Sequence, residues 1–355
     1  MTESRQIPAT VLHFVHPGSI AQATGGSIYD RRMLAALRGG GWRIELHELA
    51  GDFPVTAERT QQDAAALLDG LGDGARLLID GLALHAFAPC LARHADRLRP
   101  AALVHHPTSD ETGLDAASRR LLQSTERDLL PRLRRVIVPS NAMRQRVAAD
   151  GVRLERIAVA PPGTDPAPRA VGSGNGAPHL LCVASITPRK GHERLIEALA
   201  ACRDLDWRLT CAGPTDRDPD TAARVAQAIA AHDLGDRVAL AGELRGPPLD
   251  DLYRSADVFV LASAYEGFGM AFAEAMARGL PVVASGDGAV RDTVPEAAGV
   301  VVPVGDVPAL AAAMGRMIAD PAYRRRKADG AYRAGSKLID WPTAARRFAD
   351  AMETL

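Results

Sequence analysis

The sequence predicts an α/β protein made of two open domains, each with a parallel sheet. Short apolar runs alternate with amphipathic stretches along nearly the whole chain, the pattern of repeated strand–helix units. At 355 residues the chain exceeds one ordinary core and suits two. Between the halves lies a stretch, residues 161–178, with five prolines and four glycines, which cannot hold a regular element. Two sheets joined in this way place loops at the carboxyl ends of their strands, where ligands of open α/β sheets bind.

In the first half, strands are expected near Thr10 to Val15, Arg43 to His47, Leu77 to Ile79, Ala102 to His105, Val136 to Val138 and Ile157 to Ala160. In the second half they are expected near Leu180 to Ala184, Arg208 to Ala212, Val238 to Ala241, Val258 to Leu261, Val282 to Ala284 and Val300 to Val302. The domains read as 1–165 and 179–335, with 166–178 as linker and a final helix within 336–355 carried by Ala345, Phe348 and Met352.

Composition excludes several classes. The chain is 47% hydrophobic and 24% charged, with a net charge of −1, which is globular and lacks the positive footprint of a nucleic-acid binder. The first residues, Met1 to Gln6, carry no apolar signal core, and no run approaches a membrane span, so a cytoplasmic protein is expected. Abundant alanine and arginine suggest a GC-rich bacterial source. Cys90, Cys182, Cys202 and Cys211 show no metal-ligand spacing and read as free thiols. The arginine- and leucine-rich segment Ser118 to Arg135 is expected to be a surface helix packed on the core and not a membrane contact, because Glu126 and Asp128 dilute its charge.

The richest stretch is residues 257–284. An apolar strand (Val258 to Leu261) leads to a turn with Glu266, Gly267, Phe268 and Gly269. A helix bearing Met270 and Glu274 follows and stops at Gly279, with Pro281 beyond. A helix start offers N–H groups to anions. Carboxylates only accept hydrogen bonds, so the two glutamates, eight positions apart, call for hydroxyl groups. A ligand with phosphates flanked by hydroxylated rings, a nucleotide sugar, meets both demands.

This stretch resembles the E-x7-E signature of retaining glycosyltransferases of family 4, and further segments carry the resemblance over most of the chain. After the first strand of the second half comes Ile186-Thr-Pro-Arg189-Lys190-Gly191-His192, whose two cations suit a diphosphate and the charge of a departing nucleotide. Thr24-Gly25-Gly26-Ser27 follows the first strand and looks like the family's glycine-rich loop, close to the donor phosphates. His105-His106-Pro107 stands at a strand end where relatives often place a histidine on the transferred sugar. The sequence departs from the family at Ser185, where an arginine five residues before the lysine is common; either Arg189 replaces it or the phosphate grip is weaker.

The resemblance implies the GT-B fold: two Rossmann-like domains facing a central cleft, with the C-terminal helix crossing back to the first. It implies retaining transfer of a hexose from a UDP- or GDP-sugar to a hydroxyl acceptor, by a front-face substitution in which the leaving phosphate takes the acceptor's proton. No metal and no cofactor beyond the nucleotide sugar are expected. Glu266 would bind the sugar with the N–H groups of Phe268, Gly269 and Met270, Glu274 the ribose, and Arg189 and Lys190 the diphosphate. Gly213, Gly242, Glu243 and Leu244 would approach the base, and His16, Tyr29 and His106 the acceptor; His13 is given no role. Open beside this reading are a sugar-nucleotide epimerase, a phosphorylase or disaccharide synthase, and a non-catalytic nucleotide-sugar-binding protein. Two motif matches are set aside. Gly172-Ser-Gly174-Asn-Gly-Ala177 precedes a strand instead of following one, against its required context. Asp216-Arg217-Asp218 reads as a polar loop capping the next helix.

Overall fold

A computed structural model of the chain describes residues 11–353, apart from positions 23, 112 and 175. The Met1 to Gln6 segment, Thr10 of the first expected strand and the end of the last helix lie outside the described residues. The chain divides into two compact units, Met1–Gly163 with Asp340–Leu355, and Thr164–Ile339.

The first unit holds strands β1 (Leu12–Pro17), β2 (Ile44–Leu49), β3 (Arg76–Asp80), β4 (Arg99–Leu103), β5 (Arg135–Val138) and β6 (Ile157–Val159). They form one parallel sheet in the order β2-β1-β3-β4-β5-β6. The second unit holds β7 (His179–Val183), β8 (Arg208–Ala212), β9 (Val238–Gly242), β10 (Val258–Glu266), β11 (Val282–Gly288) and β12 (Gly299–Val302). Its parallel sheet runs β12-β11-β10-β7-β8-β9. Strand order reverses between β1 and β3 in one sheet and between β7 and β10 in the other, and such switch points open a crevice at the strands' carboxyl ends. Central strands are apolar on both faces, as in Phe259 and Val260 or Leu77 and Leu78, all fully buried.

Three expectations change on inspection. β10 continues five residues past Leu261, because β11 also continues and pairs Tyr265 with Asp287 and Glu266 with Gly288; Glu266 therefore ends a strand instead of lying in a turn. β4 ends at Leu103, so His105 sits two residues beyond it in a bend. The segment 166–178 belongs to the second unit and is tied to it: Ala170 N–H donates to Arg278 O at 2.9 Å and Val171 N–H to Arg254 O at 2.8 Å.

The helix Trp341–Glu353 belongs to the first unit. Trp341 meets Tyr29 edge-on at 6.1 Å, and a side chain at Gly163 would lie 2.4 Å from the Trp341 backbone, so the return is packed closely. The helix Ala116–Leu129 buries Leu122 and Leu129 in the first unit. Its Glu126 is not a surface charge: the carboxylate is buried and accepts from Thr108 N and Oγ1 and Ser109 Oγ at 2.5–2.7 Å. Asp218 caps the helix Pro219–Ala231 by accepting from Thr221 N–H at 2.8 Å. Among the described residues, no helix is long and apolar enough to cross a membrane.

Candidate active site

In the second unit, chemistry collects at the β7/β10 switch. After β7 the chain makes a single 3-10 turn, Pro188–Lys190, and Gly191 follows with φ of 66° and opens the helix His192–Ala200. A side chain at Gly191 would lie 2.0 Å from Ala262 O, so only glycine lets this turn press against β10. That contact brings Lys190 to Glu266. Lys190 Nζ donates to Glu266 Oε1 at 2.6 Å, and Arg189 Nη1 stands 3.8 Å from Glu266 Oε2 while donating to Tyr265 O at 3.0 Å. Ser263 Oγ also donates to Glu266 Oε1 at 2.6 Å.

Glu266 is 7% exposed. Burial alone would raise its carboxyl pKa, but Lys190 and then Arg189 outweigh burial and hold it below the ordinary value. It is thus an ionised acceptor at neutral pH. Gly269, at φ of 89°, turns the chain from β10 into the helix Met270–Ala277, whose first N–H groups have no acceptor within the helix. Thr293 Oγ1 donates to Phe268 O and steadies the turn. Glu274 lies on the second turn and accepts from Tyr253 Oη at 3.0 Å. Burial, and next the Glu274 charge, push the Tyr253 hydroxyl well above its ordinary value, so it remains a donor.

Gly213 comes so close to β7 that a side chain would lie 1.9 Å from Ala184 O and 3.0 Å from Ser185 N. It therefore shapes the loop that carries Ser185. Gly242 ends β9, and Glu243 beside it pairs with Arg245 at 2.5 Å.

In the first unit, a second set converges at the β1/β3 switch. Thr24 caps the helix Gly25–Gly39 by accepting from Ser27 N–H at 3.1 Å. Gly26 lies against His105: a side chain there would be 3.2 Å from His105 Cδ2. His105 Nε2 is 2.9 Å from Asp30 Oδ1 and 3.5 Å from Asp80 Oδ2. Asp80, the last residue of β3, also accepts from Leu82 N–H at 2.7 Å. Burial raises the Asp30 carboxyl to about 8, with Asp80 adding to the rise and His105 opposing it. Burial would lower the His105 pKa, but Asp30 and Asp80 reverse that and take it to about 10. Asp80 is also disfavoured as an anion by burial, yet its bonds to His105, Asp30 and Leu82 hold it low. The set is a partly exposed imidazolium between one ionised and one readily protonated carboxyl, both buried.

Two acceptor-side expectations are corrected here. Tyr29 is 1% exposed, donates to Ala160 O at 2.8 Å and stacks edge-on against His105 at 5.0 Å; it is part of the core. His16 is 1% exposed and bonds Gly18 O at 3.0 Å and Ser27 Oγ at 3.2 Å, so it too supports the loop from beneath. His106 pairs with Glu111 at 2.9 Å, and His13 with His47 at 3.1 Å. Sequence reasoning missed Asp80, Ser263 and the buried place of Asp30. The usable signal was positional: Asp80 closes an apolar strand just before a glycine, and Asp30 shares the buried face with Met33, Leu34 and Leu37.

Two other groupings, Cys182 with His192 and Cys211, and His13 with Glu45 and His47, bring their donor atoms within 4.8 Å. The buried Cys182 thiol is raised well above its ordinary value by Cys211 and by burial.

Comparisons with known proteins bear on the family and the fold. Residues 165–334 match the family described as Glycosyl transferases group 1, and residues 79–168 match Glycosyltransferase Family 4. The chain is glycosyltransferase family 4-like. Over 219 residues it is 35% identical to D-inositol 3-phosphate glycosyltransferase of Xylanimonas cellulosilytica, covering 56% of this chain and 52% of that protein. Over 267 residues it is 28% identical to MMP alpha-(1->4)-mannosyltransferase of Mycolicibacterium hassiacum, covering 69% and 62%. The matches thus span about half the length of such curated relatives. The GT-B fold is shared with sucrose-phosphate synthase from Thermosynechococcus elongatus at a TM-score of 0.81 and 22% identity, over 96% of this chain and 98% of that one. It is also shared with Anabaena HepE, solved with UDP and glucose, at 0.76 and 18%, over 98% and 100%.

Proposed function

We propose that this family 4-like chain is a retaining hexosyltransferase that moves a hexose from a UDP- or GDP-sugar to a hydroxyl acceptor, with no metal or bound cofactor. The observation that carries the reading is the Lys190–Glu266 contact at 2.6 Å with Arg189 beside it. It joins two cations to one ionised acceptor at the switch point of an open sheet. In support, several relatives are named as sugar transferases, among them a GDP-mannose-dependent enzyme of Corynebacterium glutamicum, and the HepE structures hold UDP or UDP-glucose.

On this reading the donor diphosphate takes up Lys190 and Arg189, whose fixed charge also stabilises the departing phosphate as the glycosidic bond breaks. Glu266 then accepts from hydroxyls of the hexose, and Ser263 keeps one carboxylate oxygen in place. The N–H groups of Phe268, Gly269 and Met270 complete the sugar and phosphate contacts. Glu274, its rotation set by Tyr253, accepts from the ribose hydroxyls. Ser185 and the loop shaped by Gly213 lie near the phosphates; in the first unit, His105 is the candidate contact for the transferred sugar. With no candidate covalent nucleophile, the acceptor hydroxyl attacks from the face the phosphate leaves, and that phosphate takes its proton.

The test is turnover of a panel of UDP- and GDP-hexoses with hydroxyl acceptors, with the product's anomeric configuration read by proton NMR. Retention with one donor class, unaffected by EDTA, is the expected result. Inversion, or no turnover of any donor, would overturn the reading.

A further inference from the structure

His105 is fixed on four sides by its own unit. Gly26 leaves room for the ring, with a notional side chain only 3.2 Å from Cδ2. Tyr29 closes one face edge-on at 5.0 Å. Asp80 stands 3.5 Å from Nε2, and Asp30 bonds that same nitrogen at 2.9 Å. With Nε2 committed to carboxylates, Nδ1 is the ring's other polar atom, and it has no protein partner among the described residues. The side chain stays 18% exposed, so the ring is gripped but still reachable.

Asp30 itself is costly. It is 1% exposed, and its Oδ2, 3.7 Å from His16 Nε2, has no hydrogen-bond partner among the described residues other than the neighbouring Asp80 carboxyl, with which it can share a proton. A buried pair of this kind is a poor source of stability compared with apolar packing, so its value lies in what it fixes. The helix Gly25–Gly39 presents Asp30 one residue after Tyr29, whose hydroxyl is anchored on Ala160 O. The carboxyl is therefore as rigid as the helix.

We propose that Asp30 is a positioning residue: it holds His105 by Nε2 and so sets Nδ1 as the ring's substrate-directed group. The proposal rests on the reading that His105 meets the transferred sugar. The groups that face the ring are Asp30 and Tyr29 from the helix, Asp80 from the end of β3, and His16 from β1 behind Asp30. Asp30 works here as an oxygen acceptor held in place. An uncharged acceptor of the same shape keeps that function, and a methyl group loses it.

The experiment uses the full chain, ¹⁵N-labelled at histidine, with His105→Gln assigning the ring signals. In the native protein His105 keeps a protonated, hydrogen-bonded Nε2 across the neutral range. Asp30→Ala frees the ring and lowers kcat on the order of 100-fold, the scale of a misplaced reacting group, with the donor KM little changed. Asp30→Asn restores both ring signals and kcat, and Asp30→Ala adds nothing on a His105→Gln background. A bare Nε2 in the native protein overturns the proposal even if the alanine variant fails to fold. So do native ring signals and native kcat in Asp30→Ala, or an asparagine variant as impaired as the alanine one. If the intact chain turns over no nucleotide sugar, the functional reading fails, while the ring signals still decide whether Asp30 holds Nε2.

Discussion

The two units solve the same problem with opposite charge patterns. At the β7/β10 switch two cations surround one buried carboxylate; at the β1/β3 switch two buried carboxyls surround one imidazole. In the second unit the cations exceed the anion, a surplus that suits the proposed diphosphate. In the first, the carboxyls exceed the cation, and the surplus is relieved by holding a proton. On the proposed reading, one set receives an anion and the other holds a ring still. The strand-reversal crevice supplies the location in both cases, and the side chains decide the chemistry.

The contrast breaks most severely at Lys190. Lys190→Met leaves Glu266 buried beside Arg189 alone, and removing one partner of a buried pair costs roughly 3–5 kcal/mol. Loss of a preorganised charge on the leaving group should lower kcat on the order of 100- to 1,000-fold. Thermal unfolding and steady-state kinetics check both. A variant with native stability and kcat would show the cluster to be a solvated surface pair.

The pH dependence separates the units next. Asp30 rises from 3.8 to about 8 on folding and His105 from 6.5 to about 10. Both groups therefore bind protons more tightly in the folded chain. Stability from His105 is complete below 6.5 and lost as pH rises towards 10; for Asp30 the loss runs from 3.8 to 8. Both contributions therefore decline in the same direction, as pH rises from neutral to alkaline. Glu266, held below its ordinary value, contributes in the reverse sense, its stabilisation being lost only in acid. Unfolding midpoints should fall from neutral to alkaline pH, less so in Asp30→Asn. A midpoint that rises over that range would contradict the first-unit account.

Glu274→Ala sharpens the donor side with a smaller effect. It strands the buried Tyr253 hydroxyl at a cost of about 1–3 kcal/mol, and it should weaken nucleotide binding about tenfold or more. Gly26→Ala is the mildest. Helix propensity favours alanine by about 1 kcal/mol, and contact with the His105 ring offsets that gain, so stability should move little. The His105 ring signals should nevertheless shift; unchanged signals would mean the ring has slack the structure does not show.

Much of the second unit was legible because its chemistry is local. Glu266, the glycine turn and Glu274 sit within one strand–helix step, and Arg189 with Lys190 mark the next strand's end. What stayed hidden was register: nothing in Val258 to Leu261 tells that β10 and β11 continue together and place Glu266 in the ladder. The first-unit set was less legible because it is assembled from β1, β3, one helix and the bend after β4. Tyr29 and His16 read as acceptor contacts, yet Tyr29 caps the core through Ala160, more than a hundred positions away, a contact no local pattern encodes. Asp30 was obscured for the same reason: a carboxyl on a helix's apolar face looks like a register slip until the histidine it serves is in view.

The proposed function makes the second unit's cluster a nucleotide-sugar donor site. Calorimetric titration of the intact chain with UDP, GDP and ADP, repeated on Glu274→Ala and Lys190→Met, tests it most directly. The account predicts that one uridine or guanosine diphosphate binds, that Glu274→Ala weakens it, and that Lys190→Met weakens it further. Absence of binding by all three nucleotides, or binding indifferent to both substitutions, would contradict it.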